Sequence, residues 1–389
     1  MMKKQLVLSI TAAFMSLSAY AQDYKKIHQA LLVIDGHNDV LIESILPGKD
    51  ISNRIKSGHT DLPRLKEGGV DVQVFAVWSD DKKYQKNAFK HANDQIDALE
   101  ALIKKNPTKI ELAKSSADIE RIQKSGKIAA LIGIEGGNMI EGSIPNLEKL
   151  YERGARYLTL TWNYNLPWAT AAAIEIKTKG SKNKGLNEQG EAIIKRMNEL
   201  GMMVDLSHAG KQTFYDVMRI SSKPVLVSHS NAAALTPHYR NLDDKQLEAL
   251  KENGGVIGIN FYSEFLDSKY RSRVKRLYKS HFKEAADNKL SVDKMYSKLP
   301  KALKHKADAP FETVLKHIDY LVSKLGIDHV AIGSDFDGIT SAPQQLEDVS
   351  KFPILTQALL EKGYSQADVA KIMGLNFLRI LKENENNKK

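Results

Sequence analysis

Short apolar runs alternate with amphipathic stretches along most of the chain. Eight such runs cover residues 31–37, 70–78, 128–135, 156–162, 202–208, 224–229, 255–262 and 329–335. Short runs rich in β-branched residues predict strands that are buried on both faces. Helical periodicity follows most of them, over residues 87–105, 146–152, 187–200, 212–220, 243–252, 311–325, 354–361 and 366–382. Eight strand–helix units predict an α/β fold, a (β/α)8 TIM-like barrel.

An open doubly wound sheet is the alternative architecture. Such sheets carry a Gly-rich phosphate- or dinucleotide-binding loop after the first strand. Here the first run instead ends in Asp35-Gly36-His37-Asn38-Asp39. The barrel is therefore favoured, and 389 residues are enough for one such domain.

The N-terminal residues have the composition of a secretory signal peptide. Two lysines precede a mostly apolar stretch over residues 6–19, and Ala19-Tyr20-Ala21 is a small-x-small cleavage motif. We therefore expect removal of residues 1–21, a secreted or periplasmic location, and a single domain over residues 22–389. No later stretch is long and apolar enough to predict a transmembrane segment.

The chain contains no cysteine. This absence excludes disulfides, thiolate metal ligands, a cysteine nucleophile and a lipid-modified N-terminal cysteine. Any homodimer of this chain would therefore be non-covalent.

The formal net charge of +10 is concentrated in one segment. Residues 264–310 carry 13 Lys and Arg against 6 Asp and Glu. We interpret this segment as a basic, solvated helical insertion after the seventh predicted strand, although a dedicated binding patch is an alternative. No nucleic-acid-binding module accompanies it, so a nucleic-acid partner is not expected.

The candidate catalytic and metal-binding residues lie where the predicted strands end. His37 and Asp39 are two residues apart, so their side chains project from the same face of a strand. In strand order, the terminal residues are His37 and Asp39, Trp78, Glu135, Trp162, His208, His229, Tyr262 and Asp335. Barrel enzymes build their active sites at this end of the strands. Three histidines and three carboxylates there match the ligands of two divalent metals, with zinc favoured.

Seven motifs resemble those of one enzyme family. They read DGHND, GIEGG, RYLTLT, DLSH, VSHS, YRN and GSDFDG, and they extend from about Val33 to the C-terminal helices. In order and spacing they are similar to the renal (membrane) dipeptidase family, the M19 metallopeptidases of the amidohydrolase superfamily. The resemblance implies His37 and Asp39 on one Zn²⁺, His208 and His229 on a second, and Glu135 bridging both.

The resemblance also implies the reaction. Two zinc ions roughly 3.5–4 Å apart can share a hydroxide and polarise a scissile carbonyl. Arg240 matches the residue that receives the substrate's carboxylate, for which a planar guanidinium is suited; without the resemblance, a surface ion pair is an equal interpretation. Asp335 matches the acid/base residue that moves the proton of the attacking water to the leaving amine. The implied substrates are dipeptides, including L,D-dipeptides such as those derived from bacterial cell walls.

One position departs from the family pattern. The mammalian members have a histidine where this chain has Trp162. The resemblance implies that this histidine stabilises the oxyanion, whereas an indole cannot become a cation. Trp162 and Tyr262 are therefore interpreted as aromatic walls of the substrate site, and a packed rim is the equal alternative.

Two other functions remain open at this point. A different binuclear amidohydrolase could act on a lactone, an N-acyl amino acid or a phosphoester. Alternatively, a non-enzymatic barrel could use its basic insertion to bind an anionic surface. The complete set of metal ligands favours an enzyme.

Overall fold

The computed structural model describes residues 24–84, 86–178, 184–282 and 290–385. The predicted signal peptide lies outside these ranges, so its cleavage stays a prediction. Across the described ranges, every helix is too short or too polar to cross a membrane.

The described residues contain nine strands, all of which pair in parallel. They are β1 (Ile34–Asn38), β2 (Val72–Trp78), β3 (Ile110–Leu112), β4 (Ile128–Glu135), β5 (Ala155–Thr159), β6 (Met203–Asp205), β7 (Leu226–Ser230), β8 (Val256–Ile259) and β9 (Val330–Ile332). Each of the eight predicted runs overlaps one strand. The short strand β3 was not predicted, and it pairs only with β4, outside the main strand path.

Eight of the strands form a nearly closed barrel in the order β1-β2-β4-β5-β6-β7-β8-β9. Backbone hydrogen bonds just beyond the strand ends join β9 to β1. The N–H of Asp335 donates to the carbonyl of His37 at 3.0 Å, and the N–H of Asp39 donates to the carbonyl of Phe336 at 2.9 Å. These bonds bring the ends of the first and last barrel strands together.

The helices surround the barrel. They are α1 (24–30), α2 (Leu62–Glu67), α3 (Ala88–Lys105), α4 (Ser116–Lys124), α5 (Ile144–Glu152), α6 (Ala172–Glu175), α7 (Glu188–Leu200), α8 (Lys211–Ile220), α9 (Asp244–Glu252), α10 (Ser263–Leu266), α11 (Tyr270–Phe282), α12 (Val292–Lys298), α13 (Lys301–Ala307), α14 (Phe311–Leu325), α15 (Phe352–Glu361), α16 (Gln366–Ala370) and α17 (Asn376–Glu385). Each predicted helix begins within two residues of its predicted start. The last one is interrupted by a π-helical turn, Lys371–Leu375, between α16 and α17.

The interior of the barrel is a packed apolar cluster. All eight barrel strands contribute to it, through Ile34, Val72, Val74, Ala129, Leu131, Tyr157, Met203, Leu226, Val256 and Ala331. Phe377 and Leu381 of α17 belong to the same cluster. The barrel is thus filled by side chains rather than hollow, as expected for this fold.

Several strands end earlier than predicted. β5, β6, β8 and β9 stop three residues before Trp162, His208, Tyr262 and Asp335, respectively. His208 and Asp335 have positive φ angles of 65° and 61°, which no strand accommodates. These side chains therefore come from the loops after the strands, because the backbone must turn there to aim them.

The basic insertion, residues 264–310, is helical where it is described. It contains most of α10 and all of α11, α12 and α13. Its helices share a small apolar cluster that includes Tyr270, Val274, Met295 and Tyr296. We predicted a solvated surface element, but this insertion also forms part of the wall of the candidate site.

Candidate active site

The centre of the site is Glu135, at the end of β4. Its Oε2 lies 3.3 Å from Nε2 of His37, whose Nε2 is 3.6 Å from Oδ2 of Asp39. Its Oε1 lies 3.0 Å from Nε2 of His208 and 3.6 Å from Nε2 of His229. One carboxylate oxygen thus faces His37, and the other faces His208 and His229. These are the five residues that the sequence had proposed as metal ligands.

His37 is oriented by a tyrosine inside the barrel. Its Nδ1 lies 2.8 Å from the hydroxyl oxygen of Tyr157, whose O–H donates to the carbonyl of Gly36 at 3.3 Å. The tyrosine oxygen therefore accepts the Nδ1 proton, which leaves Nε2 as the nitrogen that can bind a metal after losing its proton. Gly133 in β4 makes room for this tyrosine, since a Cβ there would lie 2.0 Å from the ring.

The other two histidines are oriented in the same way. Ser228 donates to Asp205 at 2.6 Å, so its oxygen is free to accept the Nδ1 proton of His229 at 2.8 Å. The Nδ1 of His208 donates to the side-chain oxygen of Asn163 at 3.1 Å. In both residues Nε2 carries the lone pair. All three imidazoles therefore offer Nε2 to the same small space.

The ionisation of the histidines follows from burial. Burial, helped by the charge of Arg240, lowers the pKa of His208 to about 4. Burial and the neighbouring His37 lower the pKa of His229 well below its usual value. Burial also lowers the pKa of His37, but Tyr157 and Glu135 outweigh it and raise this pKa well above the usual value. Protonation of His37 therefore competes with a cation at its Nε2.

Asp335 lies beside the first pair of residues. It forms a compact group with His37 and Asp39 that could hold a metal ion. Its Oδ2 accepts a hydrogen bond of 2.7 Å from the side-chain amide of Asn260. Burial, together with Glu135, raises the pKa of Asp335 to about 6. A carboxyl group with this pKa can take up and release a proton near neutral pH.

Arg240 is a buried cation at the edge of this cluster. It is 4% exposed, and its guanidinium donates to the hydroxyl of Ser230 at 3.3 Å and to the carbonyl of His229 at 3.1 Å. Its Nε has no hydrogen-bond partner among the described residues. The neighbours it does have are neutral acceptors, so Arg240 retains the capacity to bind an anion.

A cavity of about 320 Å³ joins these groups. The residues lining it include Asp39, Glu43, Trp78, Glu135, Trp162, Asn163, His208, Arg240, Tyr262, Phe265, Asp293, Asp335, Asp337 and Thr340. Trp162 and Tyr262 are both on its wall, as the sequence had proposed. Trp162 packs edge-on against Trp78, with ring centroids 4.9 Å apart, and its ring lies 6.4 Å from that of His208.

The residues present fit divalent metals. The Nε2 of His37 is buried without a hydrogen-bond partner among the described residues. His37, Glu135 and His229 form a second compact group of possible ligands. Neutral imidazoles and buried carboxylates are the ligands that zinc takes in catalytic sites. Tyr157, Ser228 and Asn163, which orient the histidines, match the usual supporting partners of such ligands.

Sequence reasoning missed these supporting residues and Asp293. Gly133 was the one local signal for Tyr157, because a glycine within a strand indicates that another group packs closely against the backbone there. Asn163 directly follows Trp162, but nothing local predicts its contact with His208. Asp293 lies in the insertion, far along the chain from the other cavity residues. Only long-range packing brings it to the site.

Comparison with known proteins identifies the relatives of this chain. A family model described as membrane dipeptidase (peptidase family M19) matches residues 21–389. An uncharacterized dipeptidase of Schizosaccharomyces pombe is 34% identical over 383 residues, which cover 94% of this chain and 83% of that protein.

Two solved structures are similar in fold. The probable dipeptidase PvdM from Pseudomonas aeruginosa has a TM-score of 0.81 at 23% identity, with 95% of this chain and 100% of that chain covered. A metallo peptidase from Rhodobacter sphaeroides, liganded with a phosphinate mimic of the dipeptide L-Ala-D-Ala, has a TM-score of 0.75 at 27% identity. That comparison covers 91% of this chain and 99% of the other.

Proposed function

The chain belongs to the membrane dipeptidase family, M19, whose members are metallo-dipeptidases, and we propose that it hydrolyses the peptide bond of dipeptides with two bound Zn²⁺ ions. The observation that carries this proposal is the position of Glu135, with one carboxylate oxygen toward His37 and the other toward His208. A carboxylate placed between two pairs of ligands is what a bridged two-metal site requires.

We assign the metal ligands residue by residue. His37 and Asp39 would hold one ion, His208 and His229 the other, and Glu135 would bridge them. When bound, two such ions lower the pKa of water to near neutrality and polarise the scissile carbonyl. The protein contributes three histidines whose Nδ1 atoms are already bonded, so little side-chain movement accompanies binding, although His37 must release a proton.

Arg240 would orient the substrate. A dipeptide has a free carboxylate one residue beyond its scissile bond, and a buried guanidinium that forms no ion pair with any described residue suits it. Pairing with that carboxylate would neutralise a cation that the fold keeps away from water. This contact also explains a preference for short peptides, because a longer chain places an amide there instead.

Asp335 would move the proton. Its raised pKa, about 6, and its position beside His37 and Asp39 suit a group that accepts a proton from the attacking water. The same carboxyl group can then donate this proton to the leaving amine. Asn260 holds one oxygen of Asp335 and leaves the other for this exchange.

Trp162 and Tyr262 would form walls of the substrate cavity. Trp162 can supply only a neutral N–H donor, so any oxyanion stabilisation from this position is weaker than that from a cationic histidine. We therefore expect this chain to differ from the mammalian enzymes in its substrate preference.

L,D-dipeptides are included among the proposed substrates. The Rhodobacter sphaeroides relative binds a phosphinate mimic of L-Ala-D-Ala, and this chain offers the carboxylate-binding and metal-binding residues for such a ligand. An exported protein, as the N-terminal sequence predicts, would meet such peptides as products of cell-wall degradation.

The first test combines metal analysis with hydrolysis of L-Ala-D-Ala and L-Ala-L-Ala. We expect about two zinc ions per chain and cleavage of at least one of the two peptides. Two zinc ions without cleavage of any dipeptide would instead favour another amidohydrolase reaction, on a lactone, an N-acyl amino acid or a phosphoester. Absence of tightly bound metal would contradict the site assignment itself.

A further inference from the structure

The insertion places one carboxylate, that of Asp293, on the wall of the active-site cavity. Asp293 lies in the first turn of α12. It accepts hydrogen bonds from the hydroxyl of Tyr262 and, at 2.8 Å, from that of Thr340. No ion pair with Asp293 is found among the described residues. The proposed reaction leaves this carboxylate without a role.

Both hydrogen-bond partners of Asp293 are neutral. Burial and the nearby Asp293 raise the pKa of Tyr262 above its usual value, so Tyr262 remains a hydroxyl donor. Arg271, a basic residue of the insertion, lines an adjoining cavity together with Asp293, but its guanidinium is paired with Glu264. The charge of Asp293 is therefore held in position without being neutralised.

The position of Asp293 relative to Arg240 indicates which part of a substrate it would meet. A second cavity, of about 350 Å³, adjoins the first. Six residues line both cavities, among them His208, Arg240 and Asp293, whereas Glu135 and Asp335 line only the first. Asp293 thus lies at the Arg240 end of the active site. The carboxylate and the side chain of a dipeptide's second residue share one Cα, so a side chain there would extend along the wall that Arg240 and Asp293 share when Arg240 holds the carboxylate.

We infer that Asp293 selects dipeptides whose C-terminal residue carries an amino group on its side chain, as lysine and ornithine do. This inference rests on the proposed function, because it uses the substrate orientation set by Arg240. An ammonium group beside Asp293 would form a charge-assisted hydrogen bond and neutralise a carboxylate that lies partly out of water. An acidic side chain would meet like charge and be disfavoured.

The test compares two phosphinate mimics that differ only in charge, those of L-Ala-D-Lys and L-Ala-D-norleucine. Their dissociation constants are measured by calorimetry on the zinc-loaded protein. We expect the lysine mimic to bind about tenfold more tightly to the wild type. In Asp293→Asn, which preserves the side-chain shape and can still accept both hydroxyl bonds, the ratio of the two constants should fall to near one.

Glu312→Gln is the matched control, since it removes one negative charge from an exposed position at the start of α14. This variant should retain the wild-type ratio, because its charge is not at the cavity. Equal binding of the two mimics by the wild type would overturn the inference, as would an unchanged ratio in Asp293→Asn.

Hydrolysis of L-Ala-D-Ala by the wild type separates this inference from the proposed function. Cleavage without any preference for the lysine mimic would refute the role of Asp293 alone. Failure to cleave any dipeptide, together with failure to bind either mimic, would refute both.

Discussion

Nε2 of His208 and Nε2 of His229 lie 3.2 Å apart, and each has its Nδ1 bonded to an acceptor elsewhere. Both nitrogens therefore present lone pairs to the same point, and two lone pairs at this distance repel each other. A cation between them and Glu135 removes the repulsion. The relationship between these two side chains is thus the most direct structural indication of a metal.

Replacing His208 with alanine should remove one metal. We expect zinc content to fall from about two to about one ion per chain, with hydrolysis reduced at least about 10²-fold because a two-metal site acts as a unit. Elemental analysis after dialysis measures this. Replacing His305, a histidine outside the site, is the control and should leave the zinc content unchanged. Two tightly bound ions in the His208 variant would contradict its assignment as a ligand.

Replacing Arg240 with methionine should weaken substrate binding by about 30-fold or more, since truncation of a buried ionic partner typically costs at least about 2 kcal/mol. The effect should appear mainly in KM. The control is a dipeptide with a C-terminal amide, which lacks the carboxylate. The wild type should cleave it poorly, and the variant should cleave it no worse than the wild type does. Equal losses on both peptides would point to a structural role for Arg240 instead.

Replacing Trp162 with alanine should lower turnover or change substrate choice without changing metal content. The indole lines the cavity and contacts Trp78, but among the described residues it makes no hydrogen bond to a proposed metal ligand. Kinetics on a panel of L,L- and L,D-dipeptides, with zinc analysis of the same samples, measures both effects. Unchanged kinetics across the panel would remove Trp162 from the substrate site.

Gly338 leaves space for two carboxylates. A Cβ at this position would lie 2.2 Å from Oδ2 of Asp39 and 2.5 Å from Oδ1 of Asp335. Gly338→Ala should therefore displace one or both and reduce kcat/KM by about 10²-fold, the usual cost of a misplacement of about 1 Å. Thermal melting of the metal-free protein checks that folding is retained. Wild-type kinetics in this variant would show that neither carboxylate position matters.

Asp308, in the insertion, makes the free energy of unfolding depend on pH. Burial raises the pKa of Asp308 to about 6, although Tyr296 donates a hydrogen bond of 2.7 Å to it. The folded state therefore binds the proton more tightly than the unfolded state, whose pKa is near 3.9. This preference stabilises the fold fully at pH values below the unfolded pKa, and it is lost as pH rises through about 6.

Asp308→Asn removes this titration. Relative to the wild type, the variant should gain up to about 3 kcal/mol of stability between pH 4 and pH 7.5. Urea unfolding of both metal-free proteins at the two pH values measures the difference. A stability difference that does not change with pH would mean that Asp308 has an ordinary pKa in the folded protein.

Local pattern was enough to locate most elements. The 3.6-residue and buried-strand patterns placed the predicted helices and the eight barrel strands, because burial of apolar side chains imposes these periods wherever the chain packs. The pattern missed β3, whose three residues are too few to establish a period. It also extended four strands into the loops, since apolar composition does not show where the backbone turns.

By itself, then, the sequence determined the barrel units and the residue types available at the strand ends. Only the tertiary structure decided how they meet. Residues far apart in the chain must meet to give Glu135 its separate partners and to set the histidine tautomers through Tyr157 and Ser228. The same is true of the position of Asp293 at the cavity. Such contacts depend on closure of the barrel and packing of the insertion, and these are properties of the whole fold that no local spacing records.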